Sequence, residues 1–201
     1  MELVLVRHAE PERVVAAPGA GRADPDLTPR GREQAQRVAS WLGREPIAAV
    51  WASPLRRAVA TADPLAAALS VPVATDERLV EYDRDFPDYI PVEELRATNH
   101  PRWRAMVEGR WDDFASVDLP SFRERIGEAL EERIAEHPGG RIVVVAHGGV
   151  INVWLGAVLG IARALWFDPA YASLHRVAAS RGGARSLVTL NETAHLDPRS
   201  A

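Results

Sequence analysis

The chain alternates short β-branched runs with longer stretches whose apolar residues recur at helical spacing, and few folds accept that rhythm. Residues 2–7 read as a first strand. Residues 29–44 place Ala35, Val38, Ala39 and Leu42 on one helical face, with Thr28 as N-cap before a proline in the first turn. A second strand is expected over 47–52, a second helix over 54–69 kinked or restarted at Asp63-Pro64, and a short third strand over 71–74. Ser121 and Glu124 have the spacing of a capping box for a helix carrying Phe122, Ile126, Leu130 and Ile134, which stops at Pro138-Gly139-Gly140. A strand over 142–146, a helix over 150–159 and two late strands near 172–178 and 185–190 complete the series. Little besides Arg181-Gly182-Gly183 separates the last pair, which predicts an antiparallel hairpin at a sheet edge. The sum is an α/β three-layer sandwich with a mainly parallel sheet, an antiparallel edge and helices on both faces. Residues from about 79 to 120, rich in Pro, aromatics and Arg, break the rhythm and read as a cap insertion within a single domain over 1–201.

Composition narrows the chemistry. The 201 residues carry a formal charge of −4, so the broad basic surface of a nucleic-acid binder is not expected. Cysteine is absent, which excludes disulfides, thiolate metal sites and cysteine nucleophiles. All 24 basic residues are arginine, and the missing lysine excludes Schiff-base chemistry and a phosphate-loop lysine. Residues 142–162 lack Asp, Glu and Arg over a length that could span a membrane. Their β-branched start and the break at His147-Gly148-Gly149 read better as strand, turn and buried helix. The first apolar run is too short for a secretory leader, so a cytoplasmic protein with neither membrane nor nucleic-acid partner is expected.

Ligands of parallel α/β sheets bind beyond the carboxyl ends of the strands. Here those ends carry Arg7-His8, then Ser53-Pro54 with Arg56-Arg57 on the following helix, then His147-Gly148-Gly149. Each has an ordinary explanation alone: a strand-end histidine is commonly structural, an arginine pair commonly solvated, and Thr28-Pro29 and Ser53-Pro54 start helices. Together they set two histidines and at least one arginine around one crevice, a cationic pocket suited to phosphate.

Four blocks in order resemble the histidine phosphatase superfamily, also called the phosphoglycerate-mutase-like family. They are Leu5-Val6-Arg7-His8-Ala9-Glu10, Asp26-Leu27-Thr28-Pro29-Arg30-Gly31 with Gln34-Ala35, Ser53-Pro54-Leu55-Arg56-Arg57-Ala58 with Thr61-Ala62, and Val144-Val145-Ala146-His147-Gly148-Gly149. The resemblance implies that His8 attacks phosphorus and carries a phosphohistidine intermediate, with no metal or other cofactor. It implies that Arg7 and Arg57 hold the phosphoryl oxygens, Arg57 rather than Arg56 because the family arginine directly precedes the alanine of its block. His147 would donate a hydrogen bond to the phosphoryl group. The nucleophile must be a neutral imidazole with one nitrogen free, which positive neighbours favour by lowering its pKa. The family's proton donor lies a little after the third strand, where Glu81 matches best; the glycine that commonly follows is missing, and Asp83 and Asp85 compete.

Family members divide into mutases and phosphatases. The mutases, as the resemblance implies, carry an asparagine several residues after the nucleophile and a tyrosine and a lysine soon after the catalytic glutamate. Here the first position is about Val14, and lysine is absent. Hydrolysis of a phosphate monoester is therefore expected, with mutase-type phosphoryl transfer or a degenerate phospho-ligand binding module as alternatives. A metallohydrolase is disfavoured because His8, His100, His137, His147, His175 and His195 lack short ligand spacing. The expected partner is a small phosphorylated metabolite, and a homodimer is allowed. Tyr82, Arg84, Tyr89, His100, Arg102, Trp103, Arg104, Arg110 and Trp111 are candidate pocket residues, most of them expected to pack or face solvent. Tyr171-Ala172-Ser173 falls where family members often carry a small polar pair.

Overall fold

The computed structural model describes residues 1–17, 19 and 21–197, so the last positions of the expected 1–201 domain lie outside them. The elements are β1 (Glu2–Arg7), α1 (Pro29–Leu42), β2 (Ala49–Ala52), α2 (Arg56–Leu69), β3 (Val73–Thr75), α3 (Val92–Ala97), α4 (Pro101–Glu108), α5 (Leu119–Glu136), β4 (Arg141–Ala146), α6 (Gly148–Leu159), β5 (Leu174–Ala179) and β6 (Arg185–Glu192). The six strands form one sheet in the order β3-β2-β4-β1-β5-β6. From β3 to β1 neighbours run parallel, and β5 and β6 add an antiparallel edge.

The central strands are buried on both faces, which is why β1 and β4 read as continuous apolar runs. Successive side chains point to opposite sides, so Leu3, Leu5, Ile142 and Val144 join the core under α5 and α6. Val4, Val6, Val143 and Val145 join the core under α1 and α2. Helical spacing sends Phe122, Ile126 and Leu130 of α5 into the first core and Ala35, Val38 and Leu42 of α1 into the second. The fold is the expected α/β sandwich. No helix among the described residues is long and apolar enough to cross a membrane; residues 142–162 hold most of β4 and all of α6.

Three local expectations are corrected. The second helix does not restart at Asp63-Pro64 but runs through Pro64, because Ala58, Ala62, Leu65 and Ala66 are packed in the core on both sides of it. Ser121 and Glu124 form no capping box: α5 starts at Leu119, and Asp118 is the N-cap, its carboxylate accepting from the Ser121 N–H at 2.9 Å. The helix expected over 150–159 begins earlier, at Gly148, so His147 becomes its N-cap residue and the first turn of α6 opens at the carboxyl end of the sheet.

Candidate active site

Parallel pairing puts the polar strand ends together. Arg7 is in register with Ala146, so His8 and His147 leave β1 and β4 side by side, with ring centroids 5.1 Å apart. Ala52 is in register with Val145, which carries Ser53 and then Arg57 of α2 to the same edge. Arg7, His8, Arg57 and His147 are all buried.

The His8 Nδ1 lies 2.8 Å from the Ala9 carbonyl oxygen. A carbonyl only accepts, so Nδ1 carries the proton and Nε2 keeps its lone pair. Burial holds the His8 pKa well below the ordinary value, and Arg57 and Arg7 lower it further. Desolvation is thus the larger cause, ahead of the positive neighbours on which the sequence argument rests. His147 is neutral for the same reasons, burial first and then Arg57. Neither of its ring nitrogens meets a protein partner, and the Nε atoms of Arg7 and Arg57 are likewise buried and unpartnered. Buried donors are rarely left so, and this group converges on one end of the sheet.

Of the three candidate acids, Glu81 and Asp83 line the cavity in front of His8, whose volume is about 270 Å³. Asp85 does not; its half-exposed side chain pairs with Arg22 and Arg84 at 3.7 Å. Glu81 is buried, and its carboxylate accepts from the Gly149 N–H at 2.7 Å and the Tyr82 N–H at 3.0 Å. Burial, with Asp83 nearby, pushes its pKa up to about 7 against the opposing pull of those two N–H groups and Arg57. Gly149 admits no side chain: a Cβ there would overlap the Glu81 carboxylate and the Tyr82 ring.

The model of the histidine phosphatase superfamily, branch 1, matches residues 3–193. This chain belongs to the histidine phosphatase superfamily. It is 32% identical over 163 residues to phosphoserine phosphatase 1 of Hydrogenobacter thermophilus, covering 80% of this chain and 77% of that one. It is 35% identical over 160 residues to phosphoglycerate mutase-like protein 4 of Arabidopsis thaliana, covering 75% and 68%. Among solved structures, a mutant phosphoserine phosphatase of Entamoeba histolytica in complex with phosphoserine superposes with a TM-score of 0.77 at 23% identity, over 97% and 98% of the two chains.

In this superfamily member several further residues of the four blocks brace the site. The Ala9 N–H donates to Thr61 Oγ1 at 2.9 Å, and that hydroxyl donates to the Arg57 carbonyl at 2.7 Å, tying the residue after His8 to α2. Gln34 accepts from the Glu10 N–H at 2.9 Å, and Thr28 caps α1 while donating to the Glu10 carboxylate at 3.0 Å. Gly31 is required because a Cβ would overlap the Glu10 carbonyl. Several partners of the arginines were not anticipated. The Arg7 guanidinium lies 3.9 Å over the Tyr171 ring, donates to the Pro169 carbonyl, and has Glu93 at 3.5 Å and Asp168 at 4.0 Å. Arg57 has Asp83 at 3.7 Å and Asp24 at 3.9 Å, with its guanidinium 4.9 Å over the Tyr89 ring. The periodicity of the sequence says nothing of these pairs, whose members come from different elements.

Of the candidate pocket residues, Tyr82, Tyr89, Arg102 and Trp103 line the cavity. The others lie elsewhere: His100 caps α4, accepting from the Arg102 N–H, Arg110 pairs with Glu108 and Asp113, and Trp111 is buried with its Nε1 donating to the Val117 carbonyl at 2.7 Å. Among the described residues, no three His, Asp or Glu side chains gather as a metal-ligand group.

Proposed function

We propose that the protein is a phosphatase that hydrolyses a phosphate monoester through a phosphohistidine on His8. The carrying observation is the convergence of buried, unpartnered donors from Arg7, Arg57 and His147 around a neutral imidazole whose Nε2 is free. A phosphoryl group satisfies those donors and meets the nucleophile at once. In the first step the Nε2 lone pair forms the N–P bond, the P–O bond to the alcohol breaks, and Glu81 gives its proton to the departing alkoxide. In the second, the Glu81 carboxylate takes a proton from water, whose oxygen bonds phosphorus as the N–P bond breaks, releasing phosphate and restoring both groups. Arg7, Arg57 and His147 hold the phosphoryl oxygens as negative charge grows, each charge-assisted hydrogen bond being worth roughly 1.5–3 kcal/mol. Water rather than a bound second substrate is the acceptor in this reading, since the chain has no lysine to hold one. Residues 79–120 act as a cap within the same domain.

The test is turnover of p-nitrophenyl phosphate with and without a chelator, by wild type and His8→Ala. Activity that survives chelation and vanishes in the variant is expected. Loss on chelation alone overturns the histidine mechanism.

A further inference from the structure

The cavity extends from the phosphate end to a wall built by Leu95, Trp103, Met106, Phe114, Trp166 and Phe167. Most polar side chains in that outer part are already engaged within the protein. Arg102 makes a two-pronged pair with Asp88 at 2.9 and 3.1 Å. Arg163 donates to the carbonyls of Leu165 and Val107. Asn152 makes all four of its side-chain hydrogen bonds, donating to Gly148 and Phe167 carbonyls and accepting from the Trp166 and Phe167 N–H groups. The Trp166 Nε1 donates to the Asn152 carbonyl at 3.0 Å, which leaves its ring with no free donor. Of the lining carboxylates, Asp88 is held by Arg102, Asp83 lies 3.7 Å from Arg57, Asp168 lies 3.1 Å from Arg96, and Glu81 is the protonated acid of the proposed first step. A second anionic group on the substrate would find Arg102 held by Asp88 and Arg163 held by backbone carbonyls, and sugar hydroxyls would find that amide fully bonded.

We propose, resting on the phosphatase reading above, that the alcohol carried by the phosphate is uncharged and largely apolar: the substrate class is an aliphatic or aryl phosphate monoester. The phosphate seats on the arginines, and the organic group displaces water from the aromatic and aliphatic wall. Discrimination then comes from apolar burial, with phosphorylated acids disfavoured because Arg102 and Arg163 would have to give up the bonds they make within the protein.

The test compares kcat/KM for ethyl, butyl and hexyl phosphate, whose leaving groups have nearly equal basicity, with O-phosphoserine and 3-phosphoglycerate. Burial predicts a rise of about fourfold per added methylene until the wall is covered. Hexyl phosphate is expected to exceed both acids by more than about a hundredfold. Trp103→Ala is expected to shrink the hexyl-to-ethyl ratio by about tenfold, because part of the wall is removed. A ratio unaffected by chain length, or either acid at or above hexyl phosphate, overturns the inference and leaves the phosphatase reading standing. No turnover of any ester by protein with a native circular dichroism spectrum overturns both.

Discussion

Glu81 is held between opposing influences, and its pH behaviour follows from them. Burial and Asp83 push its pKa up to about 7, while the Gly149 and Tyr82 N–H groups favour the charged form. In the proposed role of proton donor it must be protonated, so kcat/KM for alkyl phosphates is expected to fall as pH rises through about 7. His8 adds no acidic limb near neutrality, because its pKa lies well below the ordinary histidine value. Glu81→Gln keeps the shape but has no proton to give. It should lower kcat/KM for alkyl phosphates by about 10²–10⁴-fold and abolish the alkaline limb, with a smaller loss for p-nitrophenyl phosphate, whose leaving group needs no proton. Steady-state rates from pH 5 to 9 check both expectations. Arg7, His8, Arg57 and His147 could be named from motif and strand position. Position after the third strand favours Glu81 over Asp83 and Asp85, but its burial against Gly149, in a distant element, is not legible in the sequence.

Elements were readable where their signals are local. Thr28 caps α1 as its spacing before Pro29 requires, and the every-fourth-residue pattern of α5 does face the core. The capping box failed because a serine three residues before a glutamate is equally compatible with the interior of a first turn, and Asp118 competes better for the Ser121 N–H. Asp118→Ala is therefore expected to lower the melting temperature by about 2–4 °C, whereas Glu124→Ala, on an exposed helical face, should shift it by less than about 2 °C. Thermal unfolding followed by circular dichroism compares the two. The missed start of α6 had a functional cost, because the Gly149 N–H that holds Glu81 belongs to the turn the shorter helix would have omitted.

The whole molecule couples its stability to the neutrality of buried histidines. His175 on β5 accepts from the Asn191 N–H at 3.1 Å, and its Nε2 faces Ser173 Oγ at 3.1 Å. Burial, with Arg7 nearby, drops its pKa to about 3. A depressed histidine contributes stability above its unfolded pKa and loses it as pH falls below about 6.5, because the unfolded chain then binds a proton the folded one refuses. By pH 5 that loss is roughly 2 kcal/mol for His175, so His175→Gln should reduce the fall in unfolding free energy between pH 7 and 5 by about that amount. Urea unfolding of both proteins at the two pH values measures it. By itself the sequence determined the order of the strands and of the helices outside 79–120, the layering of helices on both faces, and the grouping of Arg7, His8 and His147 at strand ends with Arg57 on the following helix, because periodicity, caps and parallel strand polarity are properties of short segments. Only the tertiary structure decided that Glu81 and Asp83 but not Asp85 line the cavity, which other residues of 79–120 line it, and that desolvation outweighs the arginines in keeping His8 neutral. Those outcomes depend on burial and on contacts such as Glu81 with Gly149 and Arg57 with Asp83, whose partners are far apart in the chain and approach only when the layers pack.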